Sequence, residues 1–140
     1  MQAAWPGLVA SASRATAPVP TRPFAVDIER ETLENVLYRR VLHTTPQMQL
    51  AVMSLEPGEV IPAETHSDPP TTQFIRVESG RALVRVGRTQ YDLENGGVVI
   101  IPAGAEHEVV QVGSDPLKLY VLYAPPEHAP SRIDQRQPDE

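Results

Sequence analysis

The feature that most constrains this chain is a succession of short β-rich runs: VLYRRVL, MQLAVMSL, QFIRVES, ALVRVG, VVIIP, HEVVQV and LKLYVLY. Each is bounded by Gly, Pro, Asn, Asp or Ser, the residues that end strands and shape turns. Glu78-Ser79-Gly80-Arg81 and Gly87-Arg88 interrupt neighbouring runs as hairpin turns do, and Asn95-Gly96-Gly97 supplies residues that tolerate positive φ. Turns at this spacing favour an all-β sandwich or barrel over a helical bundle or a βαβ layout. Only DIERETLENV has helical character, and it is short. With 140 residues and 41% hydrophobic content, the chain suits one compact domain. The expected division is a flexible N-terminal arm over residues 1–24, a β domain over 25–125, and a flexible, proline-punctuated tail over 126–140. Neither end is expected to carry core.

Composition removes several functions. There is no cysteine, so disulfides, thiolate metal sites and cysteine nucleophiles are excluded, and any metal must be held by nitrogen and oxygen. The formal net charge is -6 and the arginines are scattered among acids, which argues against a nucleic-acid partner. No apolar run reaches membrane-spanning length, and MQAAWPGLVASAS lacks the basic start and continuous apolar centre of a secretory signal. A cytoplasmic protein is the expectation, with no membrane partner.

The stretch PAETHSDPPTTQF carries the chemistry. Successive side chains on a strand point to opposite faces, so Glu64 and His66 share one face while Thr65 takes the other. If QFIRVES begins with Gln73 inward, Ile75 and Val77 are inward too, and Arg76 and Glu78 face water. Further on, VVIIPAGAEHEVVQV turns at Pro102-Ala103-Gly104 and starts a strand near His107, which shares a face with Val109 and Gln111. Glu64, His66, Gln73 and His107 can therefore meet across a barrel. Imidazole with carboxylate suits a divalent Mn, Fe, Ni, Co or Zn ion. Taken singly, each histidine has an ordinary alternative as an exposed or hydrogen-bonded residue, and a buried Gln can simply bond backbone or orient a ligand. His43 and His128 lie outside this pattern and are expected at the surface. Tyr120 and Tyr123, three apart, face opposite ways, so one of them can reach the cavity as a proton donor. Arg76 and Arg85 alternate with apolar residues and are expected outward.

At these residues the sequence resembles the cupin superfamily. The family's first motif runs G, five residues, H-x-H, three or four residues, E, six residues, G; its second runs G, five residues, P-x-G, two residues, H, three residues, N. Here Gly58 precedes Glu64-Thr65-His66 by that interval, Gln73 precedes Gly80, and Gly96 leads to Pro102-Ala103-Gly104, His107 and Gln111 in the Asn place. The sequence also resembles small single-domain bacterial cupins of the mannose-6-phosphate-isomerase-like type, which share LKLY and PPEH near the end. Glu64 stands where the family has its first His and Gln73 where it has Glu, with a longer spacer, SDPPTT. The exchange conserves total ligand charge, so a divalent ion leaves the site at about +1 either way.

The resemblance implies a cupin jelly-roll β-barrel, or double-stranded β-helix. It also implies one divalent transition metal per chain, held by Glu64, His66, Gln73 and His107, and a small-molecule substrate. On this reading the protein is a metal-dependent isomerase or lyase acting on a small polar or carbohydrate-derived substrate, with Glu64, Tyr120 and Tyr123 as candidate catalytic groups. An Fe(II)-dependent dioxygenase uses the same ligands, and a non-catalytic metal- or ligand-binding barrel is the third alternative. A homodimer is expected, formed through sheet edges or N-terminal strands such as VLYRRVL.

Overall fold

The computed structural model describes residues 22–66 and 70–139. The expected N-terminal arm therefore lies almost wholly outside the described residues, as do Ser67, Asp68 and Pro69 of the spacer. A short helix, α1 (Ile28–Glu34), forms where DIERETLENV suggested it, started by Asp27, whose carboxylate accepts the Arg30 N–H at 3.1 Å. All other regular structure among the described residues is strand: β1 (Arg39–Thr44), β2 (Gln49–Leu55), β3 (Val60–Glu64), β4 (Thr72–Ser79), β5 (Arg81–Val86), β6 (Thr89–Leu93), β7 (Val98–Ile101), β8 (His107–Val112), β9 (Leu117–Ala124) and β10 (Ile133–Asp134).

The strands make two antiparallel sheets, a six-stranded one in the order β10-β1-β2-β9-β4-β7 and a four-stranded one in the order β3-β8-β5-β6. This is the jelly-roll barrel the turn spacing and motifs implied. Alternation along each strand sends Met53, Ile75, Val77, Leu119 and Val121 from one sheet, and Ala82, Val84 and Val109 from the other, into one core. Each large buried aliphatic side chain contributes about 1.5–3 kcal/mol. Gly80 joins β4 to β5 with φ +84, and a Cβ there would collide with the Pro116 carbonyl oxygen, so glycine is required on both counts.

Three strand-level details depart from the sequence reading. TQYDL forms β6, an edge strand with little burial, whose mixed polarity hid it from a hydrophobic pattern. Glu78, expected in water, is buried against Arg76 at 3.2 Å, because the pairing of β4 with β9 shifts between Val77 and Ser79. The stretch after Pro125, expected as a flexible tail, is fastened to the barrel over residues 126–139. β10 pairs with β1, Asp134 takes the buried Arg39 guanidinium at 2.6 Å, and Gln137 receives the Val60 N–H at 2.8 Å. It adds nothing to the apolar core, but it meets buried polar groups that would otherwise be unpaired. Pairing with β10 also covers part of the β1 edge, one of the surfaces expected to join two copies. Among the described residues, no helix is long and apolar enough to cross a membrane.

Candidate metal centre

One row of residues from each sheet meets at one end of the barrel. Across the larger sheet, Gln49 pairs with Tyr123, Tyr123 with Gln73, and Gln73 with Ile101, all facing inward and buried. Across the smaller sheet, Glu64 pairs with His107 and His107 with Val86. Glu64 reaches this row by a local irregularity. Between Ile61 and Glu64, β3 advances three residues while β8 advances two, from Val109 to His107. That extra residue is a bulge over Pro62, which has no N–H to give the ladder, and it turns Glu64 toward the interior. His66 follows just after the strand, and its carbonyl accepts the Thr71 N–H at 3.0 Å.

The donor atoms converge. His66 Nε2 is 3.1 Å and His107 Nε2 is 3.4 Å from the same Glu64 oxygen, Oε2, and the three ligand atoms all lie within 4.8 Å of one another. Ligands about 2.1 Å from a zinc-sized ion and about 90–110° apart are themselves about 3.0–3.4 Å apart. The two spacings to Glu64 match that geometry. The tautomers match as well. His107 Nδ1 is 3.0 Å from the Ala105 carbonyl oxygen, which can only accept, so Nδ1 carries the proton and the Nε2 lone pair faces the cluster. His66 Nδ1 is 3.0 Å from a Glu127 carboxylate oxygen, and its Nε2 is buried without a hydrogen-bond partner, close to Glu64 but out of line for a bond. An orphaned buried nitrogen costs about 1–3 kcal/mol; a cation at the shared focus would satisfy it. Gln73 places its amide 3.0 Å from His107 Nε2, and rotating that amide end for end presents its oxygen instead. The residues fit a divalent ion held by nitrogen and oxygen.

Electrostatics agree with a cationic centre. Burial alone would raise the Glu64 pKa, but His107 and His66 outweigh it and hold the carboxyl down at about 2. Burial would lower that of His66, yet Glu64 and Glu127 raise it. Tyr123 is pushed up to about 12, chiefly by burial, so its phenol stays protonated.

Of the sequence candidates, Glu64, His66, Gln73 and His107 are brought together. Tyr123 is the inward tyrosine, its ring edge-on to His66 at 6.5 Å between centroids; Tyr120 points outward and stacks on Phe74 at 6.3 Å. Gln111, in the family's Asn place, is an anchor for turns: its amide donates to the Gly113 and Asp115 carbonyls, both at 2.8 Å, and its oxygen accepts the Gly58 N–H at 3.3 Å. Arg85 is outward, near Glu106 and Glu108. His43 is half-buried, stacked on Phe24 at 4.6 Å.

Two residues of the site escaped sequence reasoning. Glu127 lies beside His66, and His128, expected at the surface, is half-buried against the Tyr123 ring at 5.0 Å. Burial, with Arg39 and Arg132, lowers its pKa to about 4 and keeps it neutral near pH 7. The signal was the PPEH run itself, an acid and a histidine braced by prolines directly after a strand.

Residues 51–123 match the Cupin_2 family, described as a cupin domain, and the chain belongs to that family. It is 42% identical over 119 residues to protein L612 of Acanthamoeba polyphaga mimivirus, covering 82% of this chain and 73% of that protein. It is 37% identical over 124 residues to YrkC of Bacillus subtilis, covering 84% of this chain and 66% of YrkC. Among solved structures, BH2720 from Bacillus halodurans is similar with a TM-score of 0.80 at 39% identity, covering 86% of this chain and 95% of that one.

Proposed function

We propose that the protein is a metal-dependent isomerase or lyase acting on a small polar or carbohydrate-derived substrate, with Glu64, His66 and His107 as metal ligands and Gln73 as a fourth. The observation that supports this most is an asymmetry of access: the side chains of His66 and His107 are 7% and 1% exposed, whereas that of Glu64 is 35% exposed. Solvent therefore reaches one side of the cluster, as catalytic sites require and closed structural sites avoid. A bound divalent ion supplies Lewis acidity toward a substrate carbonyl or hydroxyl oxygen. The chain supplies the rest. Tyr123, kept protonated by burial, is a neutral hydrogen-bond donor to developing negative charge. Glu64, the most accessible carboxylate of the cluster, is the candidate base for a proton beside that carbonyl through an oxygen left uncoordinated, despite its lowered pKa.

The test is solvent exchange. Protein loaded with manganese, iron, cobalt, nickel or zinc is incubated in D2O with a panel of aldoses, ketoses and hydroxy acids, and deuterium at the carbon beside the carbonyl is followed by NMR. Incorporation by the wild type and its loss in His66→Ala support the proposal; no incorporation with any metal and any substrate removes it. One observation favours a second reading, since two histidines and one carboxylate with an open side are also the ligand set of Fe(II) oxygenases. Substrate-dependent oxygen uptake by the iron-loaded chain would select that reading.

The proposal includes a homodimer. Among the described residues β7 is the edge of its sheet; its Val98 and Ile100 are exposed, Ile100 by 61%, and Ile100 continues an outward row with Phe74 and Leu122. Light scattering at micromolar concentration is expected to give a dimer that Ile100→Glu converts to monomer; a monomeric wild type defeats this part.

A further inference from the structure

The two histidines are oriented by different means. His107 is held by the carbonyl of Ala105, two residues back on its own strand entry. The His66 Nδ1 instead faces Glu127, which belongs to neither family motif and comes from the segment after the last long strand. What places Glu127 is Gln49. This side chain is 0% exposed and uses its whole hydrogen-bonding capacity: Nε2 donates to Thr44 Oγ1 at 3.0 Å and to the His128 carbonyl at 2.7 Å, while Oε1 accepts the N–H of Glu127 at 3.2 Å and of His128 at 2.9 Å. Gln49 sits beside Tyr123 in the row that carries Gln73. The seat for residues 127–128 is thus built into the wall of the site.

We infer that Glu127 is a positioning residue for the metal centre, acting through His66, and that seating of residues 127–128 on Gln49 is thermodynamically coupled to metal binding. The inference rests on the metal reading above. A carboxylate behind a ligating imidazole fixes its ring and increases its donor strength, and removing such a partner costs 10–100-fold in metal affinity. Coupling is reciprocal: if the seated segment tightens metal binding by a given factor, bound metal stabilises the seat by the same factor. Metal loading thereby stabilises the seated C-terminal segment, although Glu127 touches no metal itself.

The experiment uses the full chain and zinc alone, with affinity read by competition against a chromophoric chelator. Glu127→Ala is expected to weaken zinc binding about 10–100-fold. Glu127→Gln, whose amide oxygen still accepts the Nδ1 proton, loses less. The thermal midpoint of the metal-free chain is expected to stay within about 3 °C in both. Gln49→Leu weakens binding too, but adds nothing further on top of Glu127→Ala, because both act through one path. In the wild type, zinc slows hydrogen exchange at the Glu127 and His128 amides by a factor similar to the affinity lost in Glu127→Ala. Wild-type zinc affinity in Glu127→Ala, or unchanged exchange at those two amides on loading, overturns the inference. A wild-type chain that binds no zinc removes the metal reading itself, and this inference with it.

Discussion

His66 and His107 end on the same Glu64 oxygen, at 3.1 and 3.4 Å, yet they stand on opposite kinds of support. His107 begins a central strand of its sheet, is paired on both sides by Glu64 and Val86, and has its ring proton fixed by nearby backbone. His66 lies beyond the end of the edge strand β3, after a bulge, and depends on a carboxylate delivered from the far end of the sequence. One side of the centre is set by the sheet; the other is set by how the chain closes. Strain or substitution at a distance should therefore reach the metal through His66 and not through His107.

The largest expected effect tests the sheet-borne side. His107→Ala removes a proposed ligand, and zinc affinity should fall at least about 1,000-fold, or roughly 4 kcal/mol, with the β spectrum of the chain retained. Next comes a control remote from both histidines. Gly80→Ala forces a side chain into φ +84 and against Pro116, so stability should drop by about 3 kcal/mol in denaturant titrations while the folded fraction binds zinc normally. A change in affinity there would mean that the whole barrel, and not only the closing segment, tunes the centre.

A third test concerns the exchange at the two proposed ligands Glu64 and Gln73. Glu64→His alone removes the only anion among the four, and zinc affinity should fall about tenfold, near 1.4 kcal/mol. Adding Gln73→Glu restores the family order and the ligand charge, and should restore most of the affinity. The smallest effect belongs to the far anchor of the C-terminal segment. Glu59 accepts the Gln137 N–H at 3.1 Å and the Arg136 guanidinium at 3.0 Å. Burial would raise its pKa, but the backbone N–H groups of Glu56 and Gln137, with Arg136, lower it. A lowered carboxylate stabilises the fold fully above the ordinary carboxylate range, and the contribution is lost as pH falls from there through the lowered value. Glu59→Gln should cost about 1 kcal/mol or less at pH 7 and nothing in strong acid, checked by thermal unfolding across pH.

Most of the site was legible because alternation and motif spacing are local properties of a strand. Gln73, Ile75 and Val77 share the inward face as the pattern of QFIRVES requires, and His107, Val109 and Gln111 do the same. Glu64 came out inward for a different reason from the one alternation supplies. Regular pairing through Pro62 and Ala63 would have turned it outward, and the bulge corrected the count. Tyr123 could not be chosen over Tyr120 until the register of β9 against β2 and β4 was known. Glu127 and the closing segment were hidden for a deeper reason. Their position depends on hydrogen bonds to Gln49, 78 and 79 residues earlier in the chain, and polarity with proline punctuation looks the same whether a segment is solvated or clamped.

Two imidazoles and a carboxylate are proposed to share one cation. Equilibrium titration of the metal-free full chain with zinc tests it most directly. One ion per chain is expected, abolished in His107→Ala and in His66→Ala. A wild-type chain that takes up no zinc, manganese, iron, cobalt or nickel, or one whose binding survives both substitutions, would contradict it.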